Sequence, residues 1–231
     1  MTSSWVANRA RGLARKSIVP VAVLIGVMWL LEIVDTAVGG RLDTLGIEPR
    51  DADGLTGVVA APFLHAGFGH LLANTTGLLV LGTLLALSTA RFWLVCAVVT
   101  VLGGFAVWLV GPAGTLHIGA SGLVYGIAAF LVARGFFERR LVTGAIAVLV
   151  GLLYGGLVLG VLPNQPGVSW QSHLFGALAG VAVAWSGLAS RSAPIGRRTL
   201  ARWPQTSEPG PAFRVGTARP PAPVTSTATE R

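Results

Sequence analysis

Apolar and polar positions fall into blocks along this chain. Large apolar residues dominate from Ile18 to about Val38, and five more such segments follow. They run roughly from Phe68 to Ala90, Phe92 to Val110, Gly119 to Phe136, Leu141 to Leu162 and Trp170 to Leu188. Each is close to the ~20 residues that an α-helix needs to cross the hydrocarbon of a bilayer. Polar punctuation separates them: Gly111-Pro112-Ala113-Gly114, Glu138-Arg139-Arg140 and Pro163-Asn164-Gln165-Pro166-Gly167. The pattern predicts an all-α polytopic membrane protein, a bundle of six transmembrane helices. The first segment is too long for a signal-peptide core, and no small-residue cleavage site precedes Arg41.

Composition agrees. The chain is 53% hydrophobic and 11% charged, with a mean hydropathy of +0.71, whereas soluble proteins use about 25% charged residues. Lipid is therefore the solvent of most of the outer surface. A net charge of +8 raises the question of nucleic acid. The basic residues, however, sit in short clusters beside the apolar segments, where they set orientation. Nucleic acid is not expected as a partner.

The clusters are Arg9, Arg11, Arg15 and Lys16 before span one, and Arg91 between spans two and three. Arg134, Arg139 and Arg140 are assigned to the turn after span four, and Arg191, Arg197, Arg198 and Arg202 follow span six. The loops after spans three and five contain no Lys or Arg, and in the long loop after span one Arg41 and Arg50 face four acids. Both termini are expected in the cytoplasm, and the plasma (inner) membrane is the expected location. Residues 1–17 then form a cytoplasmic basic segment and 18–190 the six-span domain. Residues 191–231, rich in Pro, Ser, Thr and Arg, form a cytoplasmic tail expected to be disordered. The single cysteine, Cys96, reads as a packing residue.

Polar groups inside a span are expensive, and three places concentrate them. His65 and His70 to Asn74 open span two; Gly119, Ser121, Gly122, Tyr125 and Gly126 open span four; Ser172, His173, Gly176 and Gly180 open span six. With the N-terminus inside, spans two, four and six all run inward, so the three clusters share the outer layer. His70 and Asn74, four apart, lie on one helix face. Gly122 with Gly126, and Gly176 with Gly180, form small-residue strips of the kind that let helices approach closely in lipid. Spans four and six are thus expected to bring Ser121 and His173 within hydrogen-bond reach.

Between Asp53 and Glu208 the only carboxylate is Glu138, at the cytoplasmic end of span four. That removes an aspartyl pair and a Ser-His-Asp triad at this depth, and there is no His-Glu-x-x-His zinc motif. What remains is a Ser-His dyad needing no metal or cofactor, in which imidazole takes the hydroxyl proton and returns it to the leaving amine. The Ser121 N–H near a helix N-terminus favours an anion. His70 and Asn74 are available as side-chain donors, and Tyr125 can pack on the His173 ring.

Gly119-Ala120-Ser121-Gly122 with Tyr125, preceded by His70-x-x-x-Asn74 and followed by His173, Gly176 and Gly180, resembles the rhomboid intramembrane proteases. The resemblance covers about residues 18 to 190, with the motifs in order on alternate spans. It implies hydrolysis of peptide bonds in or near transmembrane segments of membrane-protein substrates. It also implies Ser121 as nucleophile, His173 as base, His70 and Asn74 in the oxyanion hole, Tyr125 stacked on His173, and His65 as a further family histidine. Many members carry a Trp-Arg pair in the first external loop, where this chain has Thr56-Gly57, which leaves the anchoring of that loop open.

Other readings are blander. Trp29, Trp93, Trp108, Trp170 and Trp185 read as interfacial anchors, and His117 as a solvent-exposed loop residue. The alternative to a protease is a non-proteolytic rhomboid-like protein that binds transmembrane clients. A transporter would show related halves or an intramembrane charge, and neither is expected here.

Overall fold

The structure, a computed structural model, describes residues 2–163 and 167–189, with side chains from Ile18 onward. The tail expected from residue 191 lies outside the described residues. Helices form where the apolar blocks are, and the chain is helical with no strand among the described residues.

Helix α1 (Thr2–Ala37) includes the first apolar segment and carries Pro20 inside it. A long loop follows, built of short helical turns including α2 (Gly57–Ala60). The second span is one continuous helix in three parts: α3 (Phe68–Gly77), a π-helical turn (Leu78–Gly82) and α4 (Thr83–Ser88). Helix α5 (Phe92–Val110) is the third span and α6 (Ser121–Glu138) the fourth. The fifth joins α7 (Leu141–Tyr154) to a 3-10 turn (Gly155–Val161), and α8 (Trp170–Ser186) is the sixth. The first five spans are long and apolar enough to cross a membrane. Helix α8 has 17 residues, about 26 Å at 1.5 Å per residue, and packs most extensively on α6.

Local chemistry sets several ends. Gly111 and Pro112 stop α5, since proline cannot continue a helix and restricts the residue before it. Arg139 (φ +49°) and Gly187 (φ +67°) end α6 and α8 in the left-handed conformation. The α6–α8 contact depends on missing side chains. A Cβ on Gly176 would overlap the carbonyl of Gly122, and one on Gly180 the carbonyl of Gly126. The core lies between α1, the second span, α5 and α6, with Met28, Leu71, Leu81, Val95, Ile127 and Phe130 buried.

The loop after α1 is pinned without a Trp-Arg pair at Thr56-Gly57. Arg50 donates through Nη1 to the Gly111 carbonyl at 2.7 Å and through its backbone N–H to the Trp108 carbonyl at 3.0 Å. Trp108 Nε1 donates to the Asp51 carbonyl at 2.7 Å. The end of α5 therefore holds the loop.

Two expectations need correction. Charged groups do occur within the spans: Glu32 is 3% exposed in α1 and Asp35 is buried beside it. Asp35 Oδ1 accepts the Leu42 N–H at 2.6 Å, capping the turn that ends α1. Arg134 lies inside α6, not in the turn after it, buried and paired with Glu138 at 2.7 Å while donating to the Ser88 carbonyl at 2.9 Å. Each of these two makes a polar contact that offsets its desolvation, which is why the helices tolerate them.

Candidate active site

Ser121 is the first residue of α6. The first N–H groups of a helix have no intrahelical acceptor and point outward from its end. Before it stands Gly119 at φ +107°, a conformation that excludes most side chains. A Cβ there would run into the His70 ring and lie 3.6 Å from Asn74 Nδ2. This glycine lets His70 and Asn74, one turn apart on α3, close up to the backbone just ahead of Ser121. Asn74 is buried, and its Nδ2 has no hydrogen-bond partner.

Across the site, His173 stands in the first turn of α8. The Tyr125 ring lies parallel to its imidazole, with centroids 3.9 Å apart and planes 8° from parallel. His173 Nδ1 is 2.8 Å from the Gly160 carbonyl. A carbonyl only accepts, so Nδ1 carries the hydrogen, and in the neutral ring Nε2 keeps its lone pair. Gly160 is small by necessity, because a Cβ there would overlap the Tyr125 hydroxyl and sit 3.1 Å from His173 Nδ1.

Ser121, His173, His70, Asn74 and Tyr125 all line one cavity of about 730 Å³. Gly122, Gly126, Gly176 and Gly180 lie behind it, in the α6–α8 seam. No hydrogen bond joins Ser121 to His173 in this structure; the two share the cavity instead. His65 is buried outside the cavity, its Nε2 accepting the Ala120 N–H at 3.4 Å and its ring edge-on to His70. Burial, with neighbouring His70 adding, holds its pKa down at about 4. A serine hydroxyl, an imidazole with Nδ1 on a carbonyl and a buried amide donor without a partner around one cavity are parts an acyl-transfer site can use. Among the described residues no cluster of His, Cys, Asp or Glu could hold a metal ion.

Comparison with known proteins decides the family. Residues 52–190 match the family model described as Rhomboid domain. The chain belongs to the rhomboid family. This rhomboid is 45% identical over 174 residues to an uncharacterized protein of Mycobacterium tuberculosis (strain ATCC 25618 / H37Rv), covering 71% of the chain and 72% of the relative. An uncharacterized protein of Mycobacterium leprae (strain TN) is 44% identical over 176 residues, covering 72% and 70%. Rhomboid-like protein 11, chloroplastic, of Arabidopsis thaliana is 31% identical over 147 residues, covering 55% and 50%.

Sequence reasoning on this rhomboid missed three residues at the site: Gly160, His117 and Ser169. His117, expected exposed, is 5% exposed, and burial lowers its pKa. Its ring is held by Ser169 at 2.6 Å and Thr115 at 2.9 Å, and its backbone pairs with Ile47. Packing of the loop on Ile47 and Ser169 takes the imidazole out of water. One signal was available for Ser169: a serine just before an apolar helical run is a common N-cap.

Proposed function

We propose that this rhomboid is an intramembrane serine endopeptidase that hydrolyses peptide bonds in or near the transmembrane segments of membrane-protein substrates. The observation that carries the reading is the His173 Nδ1 contact with the Gly160 carbonyl. It supports an imidazole presenting an unprotonated Nε2 to the cavity that Ser121 also lines. That is the tautomer a general base requires.

The reaction then runs without metal or cofactor. Ser121 Oγ attacks the scissile carbonyl carbon while its proton passes to His173 Nε2. The oxyanion is met by the free N–H groups at the start of α6, by Asn74 Nδ2 and by His70. Collapse breaks the C–N bond as His173 protonates the leaving amine, leaving an acyl ester on Ser121. Water, deprotonated by His173, attacks the ester and releases the carboxylate product and the Ser121 hydroxyl. Apo sites commonly have their nucleophile–base hydrogen bond long or unformed, which is compatible with the separation here. On the basic clusters we place both termini in the cytoplasm, with this site in the outer part of the membrane.

The test is cleavage of a generic transmembrane substrate co-reconstituted with purified protein. Wild type should cleave, with chelator or without. Ser121→Ala and His173→Ala should each fall to background, and the double variant should be no worse. Robust cleavage by folded Ser121→Ala would overturn the assignment.

A further inference from the structure

We propose that His117 is a positioning residue whose hydrogen bond to Ser169 sets the separation of Ser121 and His173. The inference rests on the protease reading above. His117 stands four residues before Ser121, and Ser169 stands four before His173. Their side chains meet at 2.6 Å, Nδ1 to Oγ. Among the described residues, this is the one side-chain hydrogen bond between the segment leading into α6 and the start of α8.

Each half of the latch is fixed to its own element. The His117 N–H and C=O both pair with Ile47, at 2.9 Å each, which ties it to the long loop after α1. Ser169 is the N-cap of α8: its Oγ accepts the Ser172 N–H at 3.3 Å, and its carbonyl accepts the His173 N–H at 3.2 Å. A shift of Ser169 therefore moves the first turn of α8, and His173 with it.

The proton count gives the latch a direction. Thr115 donates its only hydroxyl proton to the Pro112 carbonyl at 2.6 Å. At its 2.9 Å contact with His117 Nε2 the threonine oxygen must then accept, so Nε2 carries the hydrogen. His117 Nδ1 accepts in turn, and Ser169 is the donor. Ser172, 2.7 Å from Ser169 Oγ, supplies the next donor in the chain. Each hydroxyl proton is used once, for a neutral histidine.

The helix seam brings the backbones together at this end, where Gly122 packs on the Ser172 backbone, but it leaves the two side chains unlinked. The α6–α8 seam is glycine on glycine, which sets how close the helices come. On the cavity side of that seam, Ser121 and His173 have no bond of their own. A misplacement of about 1 Å between reacting groups can cost on the order of 10²-fold in rate. A bond between two residues of the cavity lining, from the segment leading into Ser121 to the one leading into His173, is placed to prevent it.

The experiment measures kcat and KM for cleavage of a co-reconstituted transmembrane substrate, with apparent Tm on the same samples. His117→Ala should lose about 10- to 100-fold in kcat, with KM within about threefold of wild type. Ser169→Ala should match it, and the double variant should be no worse than Ser169→Ala, because the pair acts as one unit. His117→Asn places an acceptor near the Nδ1 position and should recover most of the kcat. His117→Gln, whose amide lies nearer the Nε2 position, should not. Unchanged kcat in His117→Ala, losses that multiply in the double variant, or Asn no better than Gln would each overturn the proposal. Imidazole ¹⁵N shifts give a readout independent of turnover: Nδ1 of His117 should be unprotonated and should move in Ser169→Ala. If wild type does not cleave, or Ser121→Ala still does, the dyad fails and the latch is judged by those shifts. A protonated Nδ1, or no movement, then counts against it.

Discussion

The Tyr125 ring lies flat on the His173 imidazole, 3.9 Å between centroids and 8° from parallel. The stack fixes the plane of the imidazole, and the Gly160 carbonyl fixes its rotation within that plane. Together they aim Nε2 with no carboxylate at hand. The aromatic face, not the hydroxyl, is the part that does this. Tyr125→Phe should therefore keep kcat within about threefold of wild type, whereas Tyr125→Ala should lose about 10²-fold with KM little changed. Steady-state cleavage of a reconstituted transmembrane substrate by the two variants checks the ordering.

Asn74 Nδ2 is a buried donor without an acceptor. Leaving such a group unsatisfied costs about 1–3 kcal/mol, a cost that makes sense if the acceptor arrives only as the oxyanion forms. Asn74→Leu, close to isosteric, should lower kcat by about 10²–10³ without lowering apparent Tm. Asn74 as a mere strut would give the opposite pair of results: reduced Tm with near wild-type turnover. Measuring both on one purified sample separates the two.

The spans were legible because lipid demands uninterrupted apolar blocks; α5 begins and ends at Phe92 and Val110, where the blocks do. The spacing of Gly176 and Gly180 on α8 was legible too, as helical periodicity is local. Loop placement was not. His117 and Ser169 are 52 positions apart, and only the folded loops bring them to 2.6 Å. Gly160 sits in a glycine-rich 3-10 turn whose carbonyl direction no local pattern announces. Glu32 and Asp35 were hidden for another reason. Two acids in a strongly apolar run scarcely change its hydropathy, although each dominates its own surroundings.

Three groups outside the spans give a signed pH dependence. Burial holds His65 at about 4 and lowers His117. The unfolded chain binds those protons first, so stability is full above about pH 6.5 and falls as pH drops below it. Asp43 runs the other way. Burial, then Asp35 and Glu32, raise its carboxyl to about 6, so the folded protein binds that proton first and gains stability as pH falls from about 6 toward 4. Acidification across this window should lower apparent Tm in wild type, and more steeply in Asp43→Asn, where Asp43 no longer opposes the histidines. Thermal scans in detergent at four or five pH values read both slopes.

The claim on which all of this rests is that Ser121 is a nucleophile activated by His173. A fluorophosphonate, which forms a stable bond only with an activated serine hydroxyl, tests it directly when the labelled peptide is located by mass spectrometry. The label should fall on Ser121 alone, and it should vanish in folded His173→Ala. Label on any other serine, or undiminished label on Ser121 in His173→Ala, would contradict the dyad.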